Sequence, residues 1–236
     1  MKENNICATS TGAEQRWSNI VKSRRSTRKF LKTNIPMADI ELIIEQARLC
    51  PSGGNMQPWR VHILKTITIN RVASAINADI ASYGFSKAGD YQYYPSTPIG
   101  PYAERIRQSG KDVHDALNIG SREIDRIKKQ KLENFNFFGA PIGLILTIDR
   151  RLGSGSWIDI GIFIGYLLTA IKSCGLDSCV QASFSSYGNI IRNTLDLDAE
   201  DLIVCGIAIG KADSNAEINN LPLRRAEKEE FVTCHP

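Results

Sequence analysis

Arg24-Arg25-Ser26-Thr27-Arg28-Lys29-Phe30 and Cys50-Pro51-Ser52-Gly53-Gly54-Asn55-Met56-Gln57-Pro58-Trp59-Arg60 are the two stretches on which the reading of this chain turns. In the first, Arg24, Arg25, Ser26, Thr27 and Arg28 crowd groups that can donate hydrogen bonds to an anion ahead of an extended run. Arginine forks bind oxyanions in pairs, and a serine hydroxyl adds a further donor. Taken alone, the stretch is better read as a solvated basic turn. In the second, two adjacent glycines let backbone amides approach a flat ligand closely. Ser52, Asn55 and Gln57 supply polar groups beside them. Taken alone, this is equally a helix-ending turn.

Between the two stretches, Ile40, Ile43/Ile44 and Ala47 recur at the spacing of a core-facing helix over 37–49, with Pro36 at its start and Pro51 past its end. A short helix over 14–22 precedes them. Beyond them, Trp59 to Leu64 alternates as a strand and 68–78 reads as a helix. Residues 80–101 then break the pattern with Tyr83, Tyr91, Tyr93, Tyr94 and several glycines and prolines. Loops of about 20 residues in a compact domain are usually functional, so this one is expected to be a lid or an insertion loop. Residues 102–131 are polar and helical in character.

Ile142 to Ile148 is a continuous apolar run of the kind a fully covered strand needs. Trp157 to Cys174 is apolar nearly all round and is expected to be a central buried helix, stopped by Lys172 and Gly175. A short helix over 187–195 and a buried strand from Leu202 to Ile209 follow. From Lys211 the chain turns polar and irregular. The pattern predicts one α+β domain over 1–236, with a flexible segment over 1–13 and an extended C-terminal segment over 211–236.

The 236 residues are 42% apolar and 23% charged, which excludes long disorder. A formal charge of +4 favours small anionic ligands but is too weak, without a basic stripe, to argue for nucleic acid. The apolar run Ile160 to Ile171 falls short of the roughly 20 residues that span a bilayer, and no secretory signal is visible, so a cytoplasmic location is expected. Six scattered cysteines without a CxxC, and three dispersed histidines, predict reduced thiols and no metal site. Gly206-x-x-x-Gly210-Lys211-Ala212 is one residue short of a phosphate-binding P-loop, and Gly153-Ser154-Gly155-Ser156 fits neither a dinucleotide fingerprint nor a nucleophile elbow.

A basic RRSxRxF, an amphipathic helix and then PSGGNxQPW, in that order, resembles the flavin-dependent nitroreductase family. The resemblance continues through Asn136-Phe137-Phe138-Gly139-Ala140-Pro141, Gly155-Ser156-Trp157-x-Asp159-x-Gly161, Gly175-Leu176-Asp177-Ser178-Cys179 and Cys205-Gly206-x-Ala208-x-Gly210-x-Ala212-Asp213. It spans about residues 16 to 232 and is most similar to the nitrobenzoate and nitrobenzene reductase branch.

The resemblance implies a central mixed, mostly antiparallel sheet surrounded by helices, with a C-terminal arm embracing a second subunit. It implies a homodimer with FMN in the subunit interface. Arg24 and Ser26 would hold the FMN phosphate, Arg25 would act mainly through its backbone, and Arg28 would sit near the pyrimidine edge of the flavin. Pro51, Ser52, Gly53, Asn55 and Gln57 belong to the flavin site too, reaching the FMN of the other subunit. Ala182 and Ser183 would present main chain to the flavin N5 region, and Arg225 would contact phosphate, while Leu223 stands where some members have lysine. The flavin contact at N3 and O4 has no assigned residue.

The implied activity is ping-pong hydride transfer from NAD(P)H to nitroaromatic or similar electron-poor compounds. The flavin N5 is then the reactive centre, and no side chain is catalytic. The same fold also carries reductive dehalogenation, enone reduction or flavin breakdown, and a non-catalytic flavin-binding protein is a further alternative.

Overall fold

Two strands covered on both faces, β2 (Ile142–Asp149) and β4 (Asp201–Gly210), form the centre of the molecule, and every residue of each is buried. In this computed structural model, which describes residues 12–85 and 89–235, they are flanked by β1 (Arg60–Lys65) and β3 (Asp177–Gln181) in the order β1-β2-β4-β3. All three pairings are antiparallel. The parallel component among the described residues is the isolated bridge between Ser26 and Ser178.

Strands buried on both faces favour apolar residues on each, which is why β2 and β4 read as near-continuous runs rather than alternations, with Thr147, Asp149 and Asp201 as the buried polar exceptions. Ile142, Leu144, Leu146 and Ile148 pack on one side with α2 (Met37–Ala47) and α6 (Gly155–Ser173). Ile145 and Ile203 face the opposite core, shared with α3 (Thr66–Tyr83) and α7 (Gly188–Leu195). In α2 the buried residues are Ile40, Ile43 and Ala47, the spacing the sequence predicts. α1 (Gly12–Ser23) precedes the sheet, and the expected flexible segment 1–13 otherwise lies outside the described residues.

Four expectations are corrected. The helix expected over 68–78 runs from Thr66 to Tyr83, because Ile69, Val72, Ala73 and Ile76 bury one face and left-handed Gly84 (φ 79°) ends it. The connection expected over 80–101 therefore begins only after Tyr83 and ends before Gly100, with 86–88 outside the described residues. The polar stretch 102–131 is two helices, α4 (Gly100–Ala116) and α5 (Ile124–Leu132), divided at left-handed Asn118. Arg126 donates to the Leu117 and Asn118 carbonyls there (2.9 and 2.7 Å), satisfying acceptors at the break. Strand β3 was not expected, since Asp177, Ser178 and Gln181 leave it too polar to show the apolar run of a strand.

Helix α6 is the fourth. It is buried on one face only: Phe163, Leu167, Ala170 and Ile171 enter the core, while Ile158 is 69% and Tyr166 48% exposed beside Gly161 and Gly165. An all-round apolar helix is covered within one chain only if a second layer lies over it, and here that stripe faces outward.

Gly206 makes the tightest approach in the sheet. A Cβ there would lie 2.3 Å from Cδ2 of Phe184, which is fully buried and packed on Phe137 at 4.6 Å between ring centroids. Overpacking of this kind costs about 1–3 kcal/mol. Gly206→Ala is therefore expected to lower the melting temperature by roughly 3–10 °C, measured by thermal unfolding.

Candidate functional site

The basic stretch 24–30 is extended and lies between β3 and the C-terminal residues. Thr27 N–H donates to the Ser178 carbonyl (3.0 Å), Leu31 N–H to Lys211 (2.8 Å), and Asp213 N–H to Lys29 (3.1 Å). Asn219, only 7% exposed, ties the same crossing together. Its Oδ1 accepts from the Arg28 and Lys29 amides (2.7 and 3.2 Å), and its Nδ2 donates to the Lys29 and Asp213 carbonyls (2.8 and 2.9 Å).

This crossing brings Arg24, Arg25, Ser26 and Arg28 to one cavity of about 770 Å³ with Arg224 and Arg225. One donor of Arg25 is taken up by the chain itself, because its Nη1 donates to the Leu221 carbonyl at 2.8 Å. Arg224 is likewise engaged, with Nε 3.0 Å from Asp112. Arg24 has no carboxylate partner among the described residues. Burial lowers the pKa of its guanidinium, and the like charge of Arg225 lowers it further. The cavity also holds Glu104, Asp112 and Glu230, but among the described residues none of them pairs with Arg24 or Arg225, and two unpaired like charges lining one cavity suit a polyanion such as a phosphate.

Ala182 and Ser183 lie in a second cavity, of about 640 Å³. β3 connects the two cavities: Ser178 is bridged to Ser26 in the first, and Ala182 follows the last residue of the strand in the second. Four residues at the rise of a strand put these points about 13 Å apart. Tyr91, Tyr93, Tyr94, Phe85 and Phe135 wall the second cavity, together with Lys131, Asn134 and Val180.

The tyrosine-bearing connection is rooted by a buried ion pair that sequence reasoning missed. Arg192 clasps Asp90 with both Nη atoms (2.5 and 3.0 Å), and each side chain is 9% exposed. The Ile203 amide donates to the same carboxylate (2.8 Å), and Tyr91 Oη donates to the Val204 carbonyl (2.8 Å). Burial pushes the Tyr91 phenol well above the usual tyrosine range, so it stays a donor. Tyr91 also packs on Trp157 at 4.5 Å between centroids. The loop is thus fixed at Asp90 and Tyr91, while Tyr93 and Tyr94 stand exposed beyond them. In the sequence, Gly89-Asp90 reads as a turn, and nothing there signals that Asp90 has a partner 102 residues away.

Pro51, Ser52, Gly53, Asn55 and Gln57 line neither cavity of this chain. Gly53 N–H donates to Asp159 Oδ1 (3.0 Å), docking the turn on the start of α6. Ser52 Oγ accepts from the Gln57 amide (3.0 Å). Gly54, Asn55 and Gln57 all have positive φ (56°, 57° and 51°). Such strain in non-glycine residues persists where the surroundings enforce it, and it clusters at ligand sites.

The chain belongs to the nitroreductase family. The model of that family, described as "Nitroreductase family", matches residues 21–211. The chain is 36% identical to the 4-nitrobenzoate reductase of Pseudomonas putida over 219 residues, 90% of this chain and 92% of that one. It is 33% identical to the chloronitrobenzene nitroreductase of Comamonas testosteroni, over 91% of this chain and 94% of the other. Its fold matches the crystal structure of an FMN and NADPH-dependent nitroreductase from Sphigopyxis sp. strain HMH with a TM-score of 0.90 at 30% identity, over 93% and 99% of the two chains.

Removing one partner of a buried ion pair costs about 3–5 kcal/mol, because the other charge is left uncompensated. Asp90→Ala is expected to lose stability on that scale in urea unfolding, and to make residues 84–99 the first site of limited proteolysis. An unchanged unfolding midpoint would show that the pair contributes nothing.

Proposed function

We propose that this protein is an FMN-dependent NAD(P)H oxidoreductase that reduces nitroaromatic or similar electron-poor compounds by a ping-pong mechanism. The observation that carries the reading is the arginine cluster: Arg24 and Arg225 line one cavity and feel each other's charge, and neither is ion-paired among the described residues, whereas Arg224 and Arg105 there are matched by Asp112 and Glu230. A phosphate monoester supplies the charge that such a pair lacks. Names borne by the relatives support the cofactor and the nitroaromatic substrate.

Arg24, Ser26 and Arg225 hold the phosphate in this reading, with Arg25 fastening the C-terminal residues that carry Arg225. Arg28, fixed through its backbone to Asn219, supplies a positive charge near the flavin edge. When bound, FMN provides the hydride-accepting and hydride-donating centre at its N5. A preorganised cation beside the reduced ring favours hydride uptake. Ala182 and Ser183 offer main chain at the end of β3, and the tyrosine-rich cavity above them receives donor and acceptor in turn. Tyr93 and Tyr94 act as a lid that stacks on aromatic substrates. Among the described residues lining that cavity there is no histidine and no carboxylate, which suits chemistry centred on the flavin.

The functional unit is a homodimer in the same reading, within one domain per chain. Two features support it. The outward stripe Ile158, Gly161, Gly165 and Tyr166 of α6 lacks a cover in the single chain, and the strained turn 51–57 sits beside that helix, away from the chain's own arginine cluster. Pro51, Ser52, Gly53, Asn55 and Gln57 then serve the FMN held by the partner subunit. Residues 211–235, which contain no strand, form the arm that reaches across. The enzyme is assigned to the cytoplasm.

The test is the visible spectrum of the purified protein before and after anaerobic NADPH or NADH. A flavin spectrum that bleaches, followed by reoxidation with a nitroarene, is the expected result. A protein that is colourless and takes up no added FMN would overturn the reading. Arg24→Ala with Arg225→Ala is expected to weaken FMN binding by at least about tenfold, as loss of a charge-assisted pair implies. Arg28→Ala is expected to slow reduction by NADPH more than it weakens binding.

A further inference from the structure

Among the described residues, the lining of the tyrosine-walled cavity carries a single formal charge. Its described lining holds Phe85, Tyr91, Tyr93, Tyr94 and Phe135 as ring surface, together with Lys131, and no aspartate, glutamate, arginine or histidine. Lys131 lies at the C-terminal end of α5, and that end is fastened to the base of the cavity. The Asn134 amide donates to the Lys131 carbonyl (3.2 Å), and the Gln181 amide of β3 donates in turn to the Asn134 carbonyl. The ammonium stands 5.6 Å from the centroid of the Phe85 ring. Among the described residues no carboxylate lies within ion-pair reach of it, although arginines elsewhere on the chain are matched, as Arg60 is by Asp201 and Arg105 by Glu230.

We propose that this cavity selects aromatic anions, with Lys131 Nζ as the counter-ion of an aryl carboxylate and the surrounding rings as the walls for the aryl group. The proposal deepens the reductase reading, since it takes this cavity to be the acceptor site, and it names the class of acceptor. A neutral arene fills the apolar walls but leaves the ammonium, which stands exposed at the rim beside Phe85, without an anionic partner. A carboxylate accepts a charge-assisted hydrogen bond there. An arylammonium meets like charge with nothing opposite to offset it. The rings supply affinity, and the lysine decides among ligands that all fit the rings.

Binding to the FMN-loaded protein tests this without turnover. Isothermal titration calorimetry with benzoate and with methyl benzoate, a neutral ester of similar shape, compares wild type, Lys131→Gln and Lys131→Arg. Wild type is expected to bind benzoate the more tightly. Lys131→Gln is expected to weaken benzoate about tenfold, equivalent to ~1.4 kcal/mol, and the ester by less than about twofold. Lys131→Arg is expected to keep most of the preference, and added salt should erode it. Equal affinities for acid and ester in wild type, or equal losses for both in Lys131→Gln, would overturn the proposal. Turnover of 4-nitrobenzoate against methyl 4-nitrobenzoate addresses the parent reading separately. Benzoate binding through Lys131 with neither nitroarene reduced would defeat the reductase assignment and leave the anion selectivity standing. Reduction of both nitroarenes with equal KM would do the reverse.

Discussion

The arrangement of the arginine-lined cavity depends on one buried amide, that of Asn219. Its two ends satisfy two amides and two carbonyls from chain segments about 190 residues apart in sequence. A carboxylate at that position would lack the two donors, and an aliphatic residue would leave four backbone groups unpaired in a buried place, each at a cost comparable to a lost hydrogen bond. Because this amide holds residues 28–29 against 213–219, Arg24 and Arg28 from the start of the fold meet Arg224 and Arg225 from its end. The positive cavity is therefore a product of chain crossing, not of local composition.

That crossing sits on the edge of the sheet. β3 pairs with the wholly buried β4 on one side, and on the other accepts the Thr27 amide through Ser178. One short strand thereby carries the arginine cluster at its start and the aromatic cavity just past its end. The opposite wall of the aromatic cavity is held by Asp90 and Arg192, whose charges are nearly removed from water but doubly hydrogen-bonded to one another. Buried pairs of this sort are weak evidence for stability but strongly constrain position, since neither charge can move without losing its partner. Gly188 makes the fit possible, because a Cβ there would lie 2.4 Å from Asp90 Oδ2. The exposed tyrosines beyond the clasp are then attached to a fixed root while their own rings stay accessible.

Helix α6 links the fold to the proposed assembly. Its inner face fills the core beneath α2, and its outer face carries two glycines at a four-residue spacing between Ile158 and Tyr166. Small residues at that spacing lower the surface where another helix can approach closely, which suits the subunit contact proposed above. The strained turn 52–57 is docked to the first turns of the same helix through Asp159. Interface and ligand turn are thus one rigid unit in the dimeric reading, and neither can shift alone.

Much of the fold was legible in the chain itself. The near-continuous runs of β2 and β4, the 40-43-47 spacing of α2 and the apolar length of α6 each follow from periodicity, because burial on one face or two leaves a direct imprint on neighbouring residues. The motifs around Arg24 and Gly53 stood out only in combination and through the family resemblance, since each by itself reads as an ordinary turn. What periodicity could not carry was every feature joining distant segments: β3, whose polar start hides a strand supported by Ser26; the Asp90–Arg192 clasp; the Asn219 tie; and the exposure of half of α6. In each case the residue is ordinary where it stands, and its role comes from a partner far away in the chain. Composition and local spacing thus determined the class of fold and the chemistry on offer. Only the tertiary structure decided which charges meet, because a long-range contact is specified by the packing of the whole sheet and leaves no signature in the residues beside it.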